Sequence, residues 1–234
     1  MQQPTPTVTP RMMSIIVGSV VCFSVIYYFV ARLIGHELLT YVDCLVFTSV
    51  LALVVTGGYQ VFFWVQRNNY YFPMHCLHCR FDDYVPFCPS WVWPYSIVYT
   101  IMLGAVLIAI RSLEDGLYII FTGIVLLGAH SASAMFFPCT VPPSYRHYVV
   151  NSSSTQFLKW IQTLDNKRSS FPSMHCSVGT FVGLLLYPHM PVVSTIFIVL
   201  TPTSCLLVKQ HQIADTLAGV GLGGAVYLVL ASTR

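Results

Sequence analysis

Residues 209–231, KQHQIADTLAGVGLGGAVYLVLA, pass from a polar start into an apolar run that carries no charge after Asp215. A helix that crosses a bilayer needs roughly 20 mostly apolar residues. This stretch meets that need over about 212–231, and it does so with His211 and Asp215 at its mouth. Working back along the chain, further apolar runs stand at 13–35, 42–65, 91–111, 116–137, 173–188 and 191–208. The run at 173–188 is short and partly polar. Its two prolines in YPHMP, Pro188 and Pro191, suit a tight break before the next run.

Composition agrees with this pattern. Of 234 residues, 56% are hydrophobic and 8% charged, whereas a soluble domain carries roughly a quarter charged residues. The expectation is an all-α fold, a polytopic membrane helix bundle of about six to seven transmembrane helices. The opening MQQPTPTVTP is polar, so residues 1–12 read as a disordered tail and 13–234 as a single transmembrane domain. The tail lacks the charged start and cleavage site of a secretory signal, which leaves insertion to the first span. A net charge of +3 with no basic run excludes nucleic acid as a partner.

Seven spans distribute the connections over two faces. The N-terminal tail and the loops 66–90, 138–172 and 209–211 share one face, and every candidate site residue named below lies on it or at its edge. The positive-inside rule favours a cytoplasmic placement of that face, but cations placed by chemistry do not count toward it, and the side stays open. Setting aside Arg146, Arg168 and Lys209, which are taken up below, leaves Arg11, Arg67, Arg80, Lys159 and Lys167, five cations, against Arg32, Arg111 and Arg234, three, on the other.

His211 and Asp215 stand at i and i+4, so they share a helix face. A carboxylate beside an imidazole fixes its tautomer and raises the basicity of the other nitrogen, which suits a nucleophile or base. Lys209 adds a cation for a phosphoryl oxygen, although interfacial lysines also snorkel without further purpose. An Asp one turn inside an apolar span is costly, and that favours function. SSFPSMH, Ser169 to His175, opens the run at 173–188 with Pro172 in its first turn and Ser170 or Ser173 as a cap. Backbone N–H groups at such a start bind anions, and His175 there can donate a proton to a leaving oxygen. The plainer reading of this segment is an ordinary helix start with an interfacial histidine.

Together the two segments resemble the type 2 phosphatidic acid phosphatase/haloperoxidase superfamily. Its PSxH motif is matched by Pro172, Ser173 and His175, and its SRxxxxxHxxxD motif by Ser204, His211 and Asp215. Cys205 stands where that motif has arginine, and the KxxxxxxRP motif has no clear match. FFPCTVPPSYR, ending at Arg146, and FDDYVPFCPSWVWPY, Phe81 to Tyr95, are similar to segments of the inositol phosphorylceramide synthase-like branch. The resemblance covers about 80–225. It implies that His211 attacks phosphorus, Asp215 orients it, and His175 protonates the departing alkoxide and then deprotonates the acceptor. Lys209, Ser173 and Arg146, with Arg168 as a further candidate, are the implied phosphate-binding residues. The implied partners are the bilayer and a lipid or amphiphilic phosphoester, with no cofactor and no metal. Water as acceptor makes a phosphatase, and a lipid or polyol hydroxyl makes a phosphotransferase. The missing arginine also leaves open a degenerate homologue that serves as a membrane scaffold.

Three features carry blander readings. Asp82 and Asp83 could orient a histidine, but a pair before a VPF turn reads first as solvated. His130, in mid-span, reads as a hydrogen-bonded core residue. HCLHC, His75 to Cys79, with Cys88 nearby, has zinc-like spacing but lacks a second pair, and a disulfide among its cysteines is the alternative on an oxidising face. Asn151-Ser152-Ser153 is a glycosylation sequon that matters only if this face is luminal.

Overall fold

The computed structural model describes residues 10–164 and 168–232, so the polar tail expected over 1–12 lies outside it as far as residue 9. The chain is all-α and builds an integral, multi-pass membrane protein. Its helices are α1 (Pro10–Leu33), α2 (Tyr41–Asn68), α3 (Tyr99–Ala105), α4 (Leu113–Phe136), α5 (Ser153–Leu164), α6 (Met174–Leu186), α7 (Pro191–Leu207) and α8 (Ile213–Ser232). Tyr41–Asn68, Leu113–Phe136 and a continuous helical segment Pro89–Ala109 are long and apolar enough to cross a membrane. Four shorter apolar helices accompany them: Val17–Leu33, Met174–Leu186, Pro191–Leu207 and Ile213–Val229.

The segment around α3 departs from a regular helix. It widens to a π turn over Pro94–Val98 and tightens to 3-10 geometry over Val106–Ala109. Pro94 has no N–H to give to an i−4 carbonyl, so the ladder is interrupted where this proline falls. Elsewhere local chemistry sets the boundaries. Thr40 and Asp43 form a reciprocal capping box that starts α2, Ser112 caps α4, and Pro191 occupies the first turn of α7.

Helix α5 falls where the sequence pattern reads as loop. Its twelve residues are too few and too polar for a span, but Ser152 and Thr155 exchange hydrogen bonds at its start. Leu158 is buried inward, Lys159 and Trp160 face outward, and Phe157 stacks on Trp93 with centroids 5.0 Å apart. The helix lies in the connection between α4 and α6 that also carries the segments leading to Arg146 and Ser170.

Two packing units meet. One joins α1, α2 and α4 around Tyr27, Phe47 and Ile120. The other joins the α3 segment to α6, α7 and α8 around Phe181, Leu186 and Phe197. Helix α8 lies hard against α6. A Cβ on Gly219 would stand 2.5 Å from the Ser173 carbonyl oxygen, and one on Gly223 would stand 2.1 Å from that of Ser177. The four-residue spacing of these glycines lets the two backbones touch, as small residues do between membrane helices.

Candidate active site

The starts of α6 and α8 are locked together. Ser173 caps α6 by accepting from the Cys176 N–H at 3.3 Å, and its own N–H donates to the Asp215 carbonyl at 2.9 Å. Helix α8 begins with two carboxylates at its positive end, where the helix dipole favours them. Asp215 Oδ2 accepts from the Gln212 N–H at 3.0 Å, and Asp82 Oδ1 accepts from the Ile213 N–H at 2.8 Å.

The turn before α8 is a Schellman motif. Lys209 N–H donates to Leu206 O at 3.0 Å, and Gln210 N–H donates to Cys205 O at 3.1 Å. Its pivot is Lys209 itself, at φ +56°, a left-handed conformation usually given to glycine. The sequence suggests a helical approach for Lys209, whereas this reversal is what returns His211 toward the bundle. A strained non-glycine residue beside a candidate site is a place where such conformations concentrate.

His211 is 9% exposed. Its Nδ1 lies 3.0 Å from the Ser170 carbonyl oxygen and 3.8 Å from Asp215 Oδ2. A carbonyl only accepts, so Nδ1 carries the proton and Nε2 the lone pair. The Ser170 carbonyl is itself placed by three chain segments that run side by side: Thr140 N–H donates to His75 O at 2.9 Å and Ser170 N–H to Cys139 O at 3.1 Å. The backbone oxygen therefore holds the ring, with the Asp215 carboxylate as a nearby negative charge.

His175 lies in the first turn of α6, stacked on Tyr95 with centroids 4.4 Å apart and tilted against Tyr99 at 4.7 Å. Its Nδ1 is 3.3 Å from the Tyr95 hydroxyl. The His175 and His211 ring centroids are 6.4 Å apart, and both rings line one cavity of about 270 Å³. The apolar side of that cavity comes from Phe62, Phe63, Tyr99 and Met174, and its cation is Arg146. An aromatic wall facing imidazoles and a guanidinium suits an amphiphilic ligand with an anionic end.

The other residues singled out from sequence are placed as follows. Lys209 is not part of the cavity lining: its Nζ donates to the Asp82 carbonyl at 2.8 Å and sits 4.7 Å from the Tyr145 ring centroid. Burial lowers its pKa from the ordinary value, and the Asp82 and Asp83 carboxylates oppose that shift. Burial likewise pushes the Tyr145 hydroxyl up to about 12, with the same two carboxylates adding to it. Ser173 is fully buried and its hydroxyl is used as the α6 cap. Arg168 donates to the Asn69 carbonyl and stacks 4.4 Å over Tyr70, outside the cavity lining. His130 bonds Ser177 Oγ at 2.7 Å in the core. In HCLHC, His75 stacks on Phe137 at 4.4 Å and His78 pairs with Asp83 at 3.0 Å. Among the described residues no three His, Cys, Asp or Glu side chains are grouped to hold a metal, and all eight cysteines are free thiols.

The sequence reads Asp82 and Asp83 as a solvated pair, and Asp83 fits that description, but Asp82 is 2% exposed. Its carboxylate clamps the Cys79 N–H at 2.8 Å as well as the start of α8. Burial pushes this carboxyl upward, but the Cys79 and Ile213 N–H groups together hold it below the usual carboxylate range. A depressed folded pKa stabilises the protein above the unfolded value, about 4, and that stabilisation is lost as pH falls through the folded value. Asp82→Ala strands two part-buried donors and is expected to destabilise by about 2–4 kcal/mol. Asp82→Asn should remove this carboxylate's share of the acid lability below about pH 4. Thermal midpoints from pH 3 to 7 test both, and identical pH profiles for parent and Asp82→Asn would refute the clamp.

The fold and this cavity define an all-α multi-pass membrane protein with paired histidines at one end of the bundle. The PAP2 superfamily profile matches residues 71–229, and the chain belongs to that superfamily. No curated protein and no solved structure matches it.

Proposed function

We propose that the protein is an integral-membrane phosphoesterase or phosphotransferase, crossing the bilayer six or seven times and acting on a lipid or amphiphilic phosphoester. The observation that carries this reading is the pair of imidazoles, 6.4 Å apart between centroids, on the wall of one cavity that also holds Arg146. His211 Nε2 attacks phosphorus while the bond to the leaving alkoxide breaks and His175 gives that oxygen a proton. His175 then takes a proton from water or from an acceptor hydroxyl, which attacks the phosphohistidine and restores His211. Arg146 neutralises the non-bridging oxygens, which is where preorganised charge lowers such barriers most. Asp215 stabilises the imidazolium character that develops on His211.

Ser173, Arg168 and Lys209 support phosphate binding at one remove. Ser173 sets the start of α6, Arg168 anchors the segment that leads to Ser170, and Lys209 holds the turn that carries His211. Lys209→Ala is expected to cut turnover about tenfold or more through misplacement of the nucleophile, and Lys209→Arg to keep part of it. Turnover by folded, membrane-inserted variants checks this, and parent-like turnover in Lys209→Ala would remove the lysine from the machinery.

The function itself is tested with purified protein and a panel of labelled phospholipids, with and without hydroxylated acceptors. Release of a phosphoryl group or headgroup is expected, and product identity separates hydrolysis from transfer. No turnover of any substrate would favour the scaffold reading.

A further inference from the structure

Two residues on the cavity wall carry buried polar atoms with no hydrogen-bond partner among the described residues. Gln210 is 8% exposed, and its Nε2 is buried without an acceptor. Ser170 Oγ is buried and likewise unbonded. Both residues line the cavity beside His211. A buried donor left unmade carries an uncompensated desolvation cost, so such a group in a cavity wall points to a ligand that supplies the missing acceptor. The neighbouring Gln212 provides the contrast: its Nε2 donates to Thr140 O at 3.1 Å and to Cys76 Sγ at 3.4 Å. The fold satisfies that glutamine's donor and leaves the one at the cavity open.

We infer that Gln210 Nε2 and Ser170 Oγ are phosphate-oxygen donors, each giving a hydrogen bond to a non-bridging oxygen of the phosphoryl group that His211 attacks. The inference rests on the catalytic reading of the cavity above. The backbone explains the placement. The left-handed Lys209 turns the chain so that the Gln210 and His211 N–H groups both point to the Cys205 carbonyl, at 3.1 and 3.4 Å. Position 205 thus holds the turn through its backbone, while its thiol is fully buried and brings no charge to the cavity. The wall then meets the phosphate with one guanidinium and two neutral donors. Ser170 acts twice, since its carbonyl orients His211 Nδ1 and its hydroxyl meets the oxygen beside the attacked phosphorus. Nucleophile and phosphate are located by the same residue.

The test uses the purified full chain in detergent, with inorganic phosphate as probe. The readouts are the phosphate-dependent rise in thermal midpoint and the turnover of labelled phospholipid. The parent and His211→Ala should both show the rise, although His211→Ala turns nothing over. Gln210→Ala should lose most of it and drop kcat/KM by about 100-fold, the scale of removing one oxyanion donor. Without phosphate, its midpoint should equal or exceed that of the parent, because no protein hydrogen bond is lost. A glutamine with a merely structural role would lower that midpoint instead. Gln210→Glu should abolish phosphate binding near neutral pH, and Ser170→Ala should weaken it at least about tenfold. A parent-like phosphate response and parent-like turnover in Gln210→Ala would overturn the inference and leave the roles of the histidines standing. Absence of both signals in the parent would overturn the catalytic reading and this inference with it.

Discussion

His211→Ala is expected to abolish turnover, with a loss on the order of 10⁴–10⁶-fold, as when the nucleophile of a catalytic unit is removed. The proton on its ring decides which atom attacks. Nδ1 lies 3.0 Å from the Ser170 carbonyl, which fixes the tautomer and, in the proposed reaction, makes Nε2 the attacking atom. Alanine removes the atom that the proposed reaction bonds to phosphorus. Asp215→Asn probes a different step. Oδ2 is 3.8 Å from Nδ1, so the carboxylate acts mainly through charge, and its hydrogen bond from the Gln212 N–H can be taken over by the amide oxygen. A loss of about 10²–10⁴-fold with a nearly unchanged fold is expected there. Trapped radiolabelled protein intermediate and steady-state turnover are the measurements. Parent-like activity in His211→Ala would end its assignment as nucleophile.

Gly223→Val is expected to prevent the bundle from forming. The first added carbon would stand 2.1 Å from the Ser177 carbonyl oxygen, and the next nearest atoms are the Ser177 carbonyl carbon and Cα. All three belong to backbone, so no side chain can swing aside and α6 must separate from α8. That separation breaks the bond between Ser173 N–H and the Asp215 carbonyl and parts the two histidine-bearing helix starts. A cost above about 4 kcal/mol is expected, enough to unfold many proteins. The control lies two residues away. Gly221 is exposed, a Cβ added there meets nothing within 4 Å, and Gly221→Val should leave the folded yield unchanged. Monodisperse elution and thermal melting distinguish the two variants. A well-folded Gly223→Val protein with parent stability would contradict the close-packing account.

The spans and both histidine motifs are legible in the sequence because each is written in a local window. An apolar run of sufficient length declares a membrane helix, and spacings of three or four residues put two side chains on one face. Legibility ends where a contact joins distant parts of the chain. Asp82 looks like half of a solvated pair until Ile213 is brought to it, and nothing near residue 82 signals that partner. Ser170 is a possible helix cap by sequence, but its carbonyl serves His211 and Ser173 caps α6. Lys209 has a charge that suggests phosphate, yet a left-handed backbone sends its ammonium to the Asp82 carbonyl. Helix α5 escapes for a different reason. Its twelve residues mix Phe157, Leu158 and Ile161 with polar neighbours, and a search tuned to apolar spans passes over an amphipathic helix of that length. Gln210 has one usable signal, its adjacency to His211, but burial without a partner is a property only the fold reveals.

The carboxylate of Asp82 also bears on how the protein is made. Its loop leaves the ribosome well before Ile213 does, so half of the clamp waits for a helix that has not yet been synthesised. During that interval Asp82 Oδ1 lacks the Ile213 N–H from which it accepts in the fold. The arrival of α8 brings His211, Gln210 and Asp215 in one stroke and supplies the Ile213 N–H. On the proposed mechanism competence therefore comes late in biosynthesis, and a nascent chain stalled before α8 holds His175 without the His211 that pairs with it.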